Sequence, residues 1–259
     1  MVEWFESLPT LLAGLLVVGG FVGSCLAMGY LVNKFSSQTV REAHNDRAGF
    51  ILAVIGVIYA VLLAFVAIGV WERFQEADVR SYEEAGALAT VYRGSDSFPE
   101  GRHVRGMLRE YVQSIIDVEW PLMRRGEDGG FSSRLPEMVD KYVRGLPVRS
   151  TGESDVHTEM IASMETALMD RQTRLTVDFI GISGIMWFVL LVGAYVTVAF
   201  TYLFGFERTS MQQLMIGGLS LIIGLMLFLV LALDYPYRGG IAVQPDAFHA
   251  LLTAWSEGL

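Results

Sequence analysis

The stretch that decides the fold is AGFILAVIGVIYAVLLAFVAIGVWERF, residues 48–74. Its apolar part contains no charged side chain as far as Trp71, and the chain then passes directly into Glu72 and Arg73. About 20 apolar residues are enough for a helix to cross a hydrocarbon core of about 30 Å. The stretch therefore predicts a membrane-spanning helix.

Three further stretches have the same character, since residues 8–32, 179–204 and 211–233 contain no Asp, Glu, Lys or Arg. The chain is 53% hydrophobic over 259 residues, which is more than an ordinary soluble domain carries. The first stretch lacks a basic leader and is longer than the apolar region of a signal peptide, so we expect it to be retained. The sequence predicts an all-α membrane protein with four transmembrane helices.

The polar residues divide the chain into four parts. Residues 1–71 are predicted to hold the first two spans and residues 177–234 the other two. Residues 72–176 are predicted to form a helical soluble insert that is continuous with the flanking spans, and 235–259 a tail with a short amphipathic helix. The connections within each pair of spans are short, which favours antiparallel helical hairpins.

The two ends of the insert are predicted to extend the spans beside them. No Gly or Pro lies between Trp71 and Gly86, and the following residues are mostly helix formers, so the second span is predicted to run on to about Arg93. Gly and Pro are also absent between Ser154 and Ile180. The last helix of the insert is therefore predicted to continue into the third span.

Other helices are predicted from apolar residues with helical spacing. One such set is Val104, Leu108, Tyr111, Val112, Ile115 and Ile116. Pro121 is expected to kink or end this helix near Trp120, and Ser132 or Ser133 to cap the next one. A set near the C-terminus predicts a short helix that docks on the bundle or lies at the membrane interface: Phe248, Leu251, Leu252 and Trp255.

Composition argues against several classes of function. The net charge of −9 gives no basic footprint for nucleic acid, and Lys and Arg interspersed with Asp and Glu are typical of a solvated surface. The single cysteine, Cys25, allows no disulfide within the chain. The four histidines have no metal-binding spacing, and no nucleophile or phosphate-loop motif is present. We therefore expect no enzyme, metal or cofactor.

The spans themselves carry no ionisable side chain and no internal proline that would interrupt a helix. Ion-coupled transporters usually need ionisable groups at bilayer depth, and many contain broken helices. A coupled transporter is therefore disfavoured. The orientation in the membrane stays open from the sequence, because Lys and Arg are nearly balanced between the two sides.

The second span offers a candidate pore. Val61, Phe65 and Gly69 are spaced by four residues and lie along one helix face. Charged residues follow beyond the span: Glu72, Arg73, Glu76 and Arg80. Several copies around an axis would form apolar rings, which can gate by dewetting, and a charged vestibule. Alternatively, Val61 and Phe65 pack against the other spans and Glu76 with Arg80 forms an ordinary i,i+4 surface pair.

The order of parts resembles the bestrophin superfamily: two spans, a helical insert, two more spans, and a second helix that runs straight out of the membrane. Four segments, LLAFVAIGVWERFQEADV, YVQSIIDVEWPLM, AYVTVAFTYLFGFE and LALDYPYRGGIAVQPDAF, resemble recurring segments of a largely bacterial bestrophin-like family of unknown function. These segments extend over nearly the whole chain.

The more distant similarity to bestrophins themselves implies a function. Bestrophins are pentameric anion channels whose second helix lines the pore, with an apolar neck of residues at four-residue spacing. The resemblance places Val61, Phe65 and Gly69 at the neck and Trp71 to Arg73 at its exit. Gly69 departs from the pattern, because it leaves the third ring without a side chain. The acidic cluster that binds calcium in animal bestrophins has no counterpart, so calcium activation is not expected.

Two functions follow as hypotheses. The first is a homo-oligomeric ion channel that conducts small inorganic ions, pentameric and anion-conducting by resemblance, in the plasma (inner) membrane with its termini and insert in the cytoplasm. The second is a non-conducting membrane scaffold or sensor whose insert binds a partner. The second hypothesis expects a monomer or dimer with the second span buried among its own neighbours.

Overall fold

The computed structural model of the protein describes residues 10–35, 45–127, 134–177, 180–204 and 209–258, and these form helices without any β-strand. The helices are α1 (Thr10–Phe35), α2 (Asn45–Gly94), α3 (Gly101–Ser114), α4 (Trp120–Arg124), α5 (Leu135–Arg144), α6 (Thr151–Val177), α7 (Gly184–Thr201), α8 (Thr209–Leu233) and α9 (Asp246–Ser256). A 3₁₀ turn follows α2 at Ser95–Ser97, and a π-helical turn joins α3 to α4 at Ile115–Glu119.

Four of these helices, α1, α2, α7 and α8, are long and apolar enough to cross a membrane. The four predicted spans are therefore confirmed as long apolar helices. The predicted continuation of the second span is also confirmed, because α2 is a single helix of 50 residues that ends at Gly94. At 1.5 Å per residue, α2 is about 75 Å long.

The chain forms two compact units, and α2 contributes to both: its residues up to Glu72 belong to one unit and those from Arg73 to the other. The span unit comprises the residues up to Glu72, Ile182–Asp234 and Gly239–Ile241. The insert unit comprises Arg73–Gly181, Tyr235–Arg238 and the residues from Ala242 onward.

Within the span unit, α1 and α8 approach closely at glycines. A Cβ on Gly224 would lie 3.3 Å from a ring carbon of Phe21, and one on Gly29 would lie 2.8 Å from Cδ1 of Ile216. Because glycine has no Cβ atom, these two positions let the backbones of α1 and α8 approach each other closely. The sequence of α1 also contains Gly19-xxx-Gly23, a spacing that can permit close helix packing, but an added Cβ at either glycine meets no atom within 4 Å, so these two glycines make no close approach within the described chain.

The α2 helix is anchored in the span unit by Tyr59. The buried Tyr59 hydroxyl donates a hydrogen bond to the Leu190 carbonyl of α7 over 3.1 Å. Its ring lies against Gly193, where an added Cβ would be 2.6 Å from Cδ2. A tyrosine in an apolar setting needs such a partner for its hydroxyl, so this contact fixes the ring.

The predicted continuity between the last insert helix and the third span is wrong. Helix α6 ends at Val177 and α7 begins at Gly184, with residues 178–179 outside the described part of the chain. Asp234, just after α8, accepts hydrogen bonds from the Ile182 N–H over 2.7 Å and from Trp187 Nε1 over 3.3 Å. Ser183 caps α7 by accepting from the Met186 N–H. These acceptors satisfy donors that a helix start leaves unpaired.

The insert unit has its own core. The predicted apolar face of α3 is buried. The predicted irregularity of this helix near Trp120, just before Pro121, takes the form of a π turn. The Trp120 N–H bonds to the Ile115 carbonyl, five residues back, so that a π turn precedes the proline. The predicted cap at Ser132 or Ser133 lies outside the described residues. The α9 helix docks into this core through Phe248 and Trp255, which is the first of its two predicted positions.

We expect Gly193→Ala to destabilise the protein. The added Cβ would overlap the Tyr59 ring, which cannot move without losing its bond to Leu190, and overpacking of this kind costs about 1–3 kcal/mol. Thermal unfolding of the purified protein in detergent measures the effect. Gly218→Ala is the control, because no atom lies within 4 Å of its added Cβ. Equal unfolding midpoints for the two variants would contradict this account.

Candidate functional site

One face of α2 is exposed along its apolar part. Its exposed large side chains lie one, three or four residues apart, which places them on one side of the helix: Val54, Val57, Ile58, Val61, Phe65 and Ile68. The opposite face carries Tyr59, Leu63 and Val70, which are buried. Helix α2 thus packs on its own chain with one face and leaves the other for lipid or for another copy.

The predicted neck residues lie on or next to this exposed face. Val61 is 50% exposed and Phe65 is 72% exposed, so neither side chain is buried among the described spans of its own chain. Gly69 is half-buried, and an added Cβ there meets no atom within 4 Å. The three positions share one side of the helix, and their assignment to a pore stays a prediction.

The predicted vestibule residues differ in their surroundings. Glu72, in the span unit, is exposed. In the insert unit, Arg73 donates from Nη1 to the Ile180 carbonyl over 2.7 Å. The Glu76–Arg80 pair of the alternative is present with an N–O distance of 3.7 Å.

Arg80 also contacts two further carboxylates, Glu83 at 2.9 Å and the buried Asp170 at 3.2 Å. Burial raises the pKa of Asp170, and the Arg80 guanidinium opposes this shift. Arg80 therefore has local counter-charges, and its role in a vestibule stays a prediction.

Sequence reasoning missed the most strongly charged buried site in the described chain, a network in the insert unit formed by Glu84, Glu119, Arg171 and Arg174. The interspersed Lys, Arg, Asp and Glu of the sequence predict a solvated surface, and this prediction is wrong for these four residues. A signal does exist, because Glu84 lies seven residues after the buried Ala77 and seven before the buried Val91. Its position in an apolar row predicts burial.

Arg174 is the centre of the network. It donates to both Glu84 oxygens, from Nε over 2.7 Å and from Nη2 over 3.1 Å, and Nη2 also reaches a Glu119 oxygen over 2.7 Å. The other Glu119 oxygen accepts from Nε and Nη2 of Arg171 over 3.0 and 2.8 Å. Two acids and two bases thus balance in charge, and each carboxylate is held by a guanidinium.

Aromatic rings complete the surroundings of this network. The Arg174 guanidinium carbon lies 5.1 Å from the Trp120 ring centroid and 5.7 Å from that of Phe248. The Tyr111 hydroxyl donates to Glu84 over 3.3 Å. The rings exclude water, so the ion pairs act in a medium of low dielectric constant.

Burial governs the protonation of these groups. It raises the pKa of Glu84 above its usual value, and the adjacent Arg174 opposes the shift. Burial alone would lower the pKa of Arg174, but Glu84 and Glu119 raise it well above its usual value. Among the described residues, no group of three or more His, Cys, Asp or Glu side chains could hold a metal ion. The network is therefore an ion-pair site within the core.

Together, these features define a protein whose described residues are helical and include four helices long and apolar enough to cross a membrane. Residues 19–248 match the family model of the Bestrophin-like domain. The chain belongs to the bestrophin-like family, as its sequence segments predict. Membership of this family fits the expectation that the chain is not an enzyme.

A solved structure supports the same fold. The chain resembles a point mutant of a bacterial bestrophin homolog from Klebsiella pneumoniae, with a TM-score of 0.66 and 12% sequence identity over 92% of this chain and 99% of the other. At this identity the likeness concerns the fold. No curated protein matches the chain.

We expect Arg174→Leu to lower the free energy of unfolding by about 3–5 kcal/mol, because Glu84 and Glu119 would lose a buried partner. Arg144→Leu is the matched control. Arg144 also contacts two carboxylates, but its side chain is 42% exposed, and such pairs contribute about 1 kcal/mol or less. Denaturant unfolding in detergent compares the two, and similar losses would refute a special role for the buried network.

The Arg174→Leu deficit is expected to shrink at acidic pH. Burial already raises the pKa of Glu84, and loss of the guanidinium raises it further. The folded state then binds the proton more tightly than the unfolded chain. This stabilisation is complete below the unfolded value of about 4.3 and is lost as pH rises through the folded pKa. Unfolding curves across pH test the sign, and a deficit that grows on acidification would contradict it.

Proposed function

We propose that this chain is one subunit of a homo-oligomeric, bestrophin-type ion channel in which α2 lines the pore. Val61 and Phe65 form the apolar constriction. The observation that carries the proposal is the exposed face of α2, because these two apolar side chains are half or more exposed in the described subunit. In a ring of copies, this face would surround the axis.

The chemistry of the spans supports passive conduction. The predicted spans contain no ionisable side chain that could bind a coupling ion or relay a proton. Rings of apolar side chains resist wetting when they are narrow, so the width at Val61 and Phe65 would set the barrier to ion flow. A small change in side-chain volume there should therefore change the flux strongly.

Finer properties are proposed from the family resemblance. These are conduction of anions, a pentameric ring, and a plasma (inner) membrane location with the insert in the cytoplasm. The net charge of −9 does not supply an anion preference, and neither do Arg73 and Arg80, which already have partners in the chain. Selectivity would then arise at the neck, where an ion must shed water.

We expect Phe65→Ala to raise ion flux several-fold in reconstituted vesicles, because the smaller side chain widens the constriction and eases wetting. Phe188→Ala is the matched control, since Phe188 is 65% exposed on α7 against 72% for Phe65. Flux is measured with a chloride-sensitive dye, and replacement of chloride by an impermeant anion tests selectivity.

An unchanged flux in Phe65→Ala beside a conducting wild type would refute the pore assignment. A wild type that conducts nothing and elutes as a monomer or dimer would favour the scaffold or sensor instead.

The bare third position offers a second test. We expect Gly69→Leu to lower the flux, because it adds an apolar ring where the neck now lacks one. The helix can accept the side chain, since an added Cβ meets no atom within 4 Å. Gly218→Leu on α8 is the control with equally open surroundings. Equal flux in both variants and the wild type would exclude Gly69 from the conduction path.

A further inference from the structure

A cleft of about 680 Å³ in the insert unit is lined by four arginines: Arg93, Arg102, Arg105 and Arg109. The chain has 19 Lys and Arg against 28 Asp and Glu, so this concentration of positive charge opposes the overall balance. The cleft is separate from the exposed face of α2 in the span unit and from the buried network around Arg174.

Three of the arginines lie on one face of α3. Arg102, Arg105 and Arg109 are spaced by three and four residues, which brings their side chains to the same side of the helix. Gly106 lies between them and also lines the cleft, and an added Cβ there would meet no atom within 4 Å. Like charges at this spacing destabilise a helix, so the arrangement favours a bound counter-charge.

The described chain supplies little of that counter-charge. Asp96 pairs with Arg105 and is the one carboxylate among the described lining residues. Arg93 donates to the Thr90 hydroxyl over 3.4 Å, and Arg102 has no ion pair within the described ranges. Both are exposed.

Arg109 is held by uncharged oxygens. It donates from Nη2 to the Tyr92 hydroxyl and to the Trp255 carbonyl, each over 2.6 Å. The rings of Tyr92 and Trp255 stack with centroids 4.2 Å apart, and the Arg109 guanidinium carbon lies 5.5 Å from the Tyr92 centroid. Arg109 is thus held in place without a carboxylate partner among the described residues, which lowers the conformational entropy that is lost when a ligand binds.

We propose that this cleft binds a molecule that carries two or more phosphate groups. Within the described ranges, the guanidinium groups of Arg93, Arg102 and Arg109 have no carboxylate partner. Arg93 and Arg102 can each donate two parallel hydrogen bonds to phosphate oxygens, and Arg109, whose Nη2 is already bonded, can donate from Nε or Nη1. The volume falls within the usual range of small-molecule pockets and exceeds the need of one phosphate. Such groups occur in soluble polyphosphates and in lipids with two phosphates. The site does not depend on ion conduction.

The test titrates sodium tripolyphosphate into the purified full-length protein in detergent, with heat of binding and unfolding temperature as readouts. At matched ionic strength we expect saturable binding that is tighter than binding of inorganic phosphate. The variant Arg93→Gln/Arg102→Gln keeps the bonds made by Arg109 and should weaken binding about tenfold or more. The variant Arg134→Gln/Lys141→Gln removes the same charge from exposed positions elsewhere in the insert unit and should bind like the wild type.

Absence of saturable binding to the wild type would overturn the proposal, as would equal weakening in both double variants. Cardiolipin added to the detergent micelles identifies the source of the phosphates. Displacement of tripolyphosphate supports a lipid ligand at this cleft, and continued binding supports a soluble one.

Discussion

A row of buried residues repeats every seven positions along α2: Leu63, Val70, Ala77, Glu84 and Val91. Seven residues fall about 20° short of two full turns of an α-helix, so the row winds only slowly around the helix. The chain packs against this row and leaves the opposite face of the apolar part bare. The exposure of Val61 and Phe65 follows from this constraint, because their positions lie across the helix from Leu63 and Val70.

Glu84 is the charged member of that row, and the insert-unit network accommodates it. A buried carboxylate is costly unless a cation and hydrogen bonds replace the lost water, and Arg174 provides both. Buried ion pairs contribute little net stability compared with well-packed apolar side chains. Their geometry is demanding, however. The Glu84–Arg174 pair therefore favours one rotation of α2 relative to α6 over slightly different rotations.

Much of the fold could be predicted because membrane spans depend on the length and composition of short windows. The continuation of α2 to about Arg93 could be predicted from a second local property, the absence of Gly and Pro between Trp71 and Gly86 followed by helix formers. Neither property could predict which face of α2 is exposed, since its apolar part is hydrophobic all round and has no periodic signal. Only contact with other helices distinguishes Tyr59 and Leu63 from Phe65.

The failures involve partners that are distant in sequence. The start of α7 depends on Asp234, which lies 52 residues after Ile182, and a local search for Gly and Pro does not detect such an acceptor. Glu84 and Arg174 are 90 residues apart. From sequence alone, a charged residue is predicted to be exposed to solvent unless its partner is known. The position of Glu84 within an apolar row is the local sign that it is buried.

The π turn at Ile115–Glu119 accommodates one more residue than an α-helical turn with the same span. It sets the angle at which Glu119 meets Arg171 and Arg174, since removal of one residue would rotate everything beyond it by about 100°. Alignments of relatives as distant as 12% identity should therefore allow a single-residue gap at this turn. Homologues that lack this extra residue are expected also to lack the acid at position 119 or its arginine partners. The extra residue and the buried acid should therefore occur together within the family.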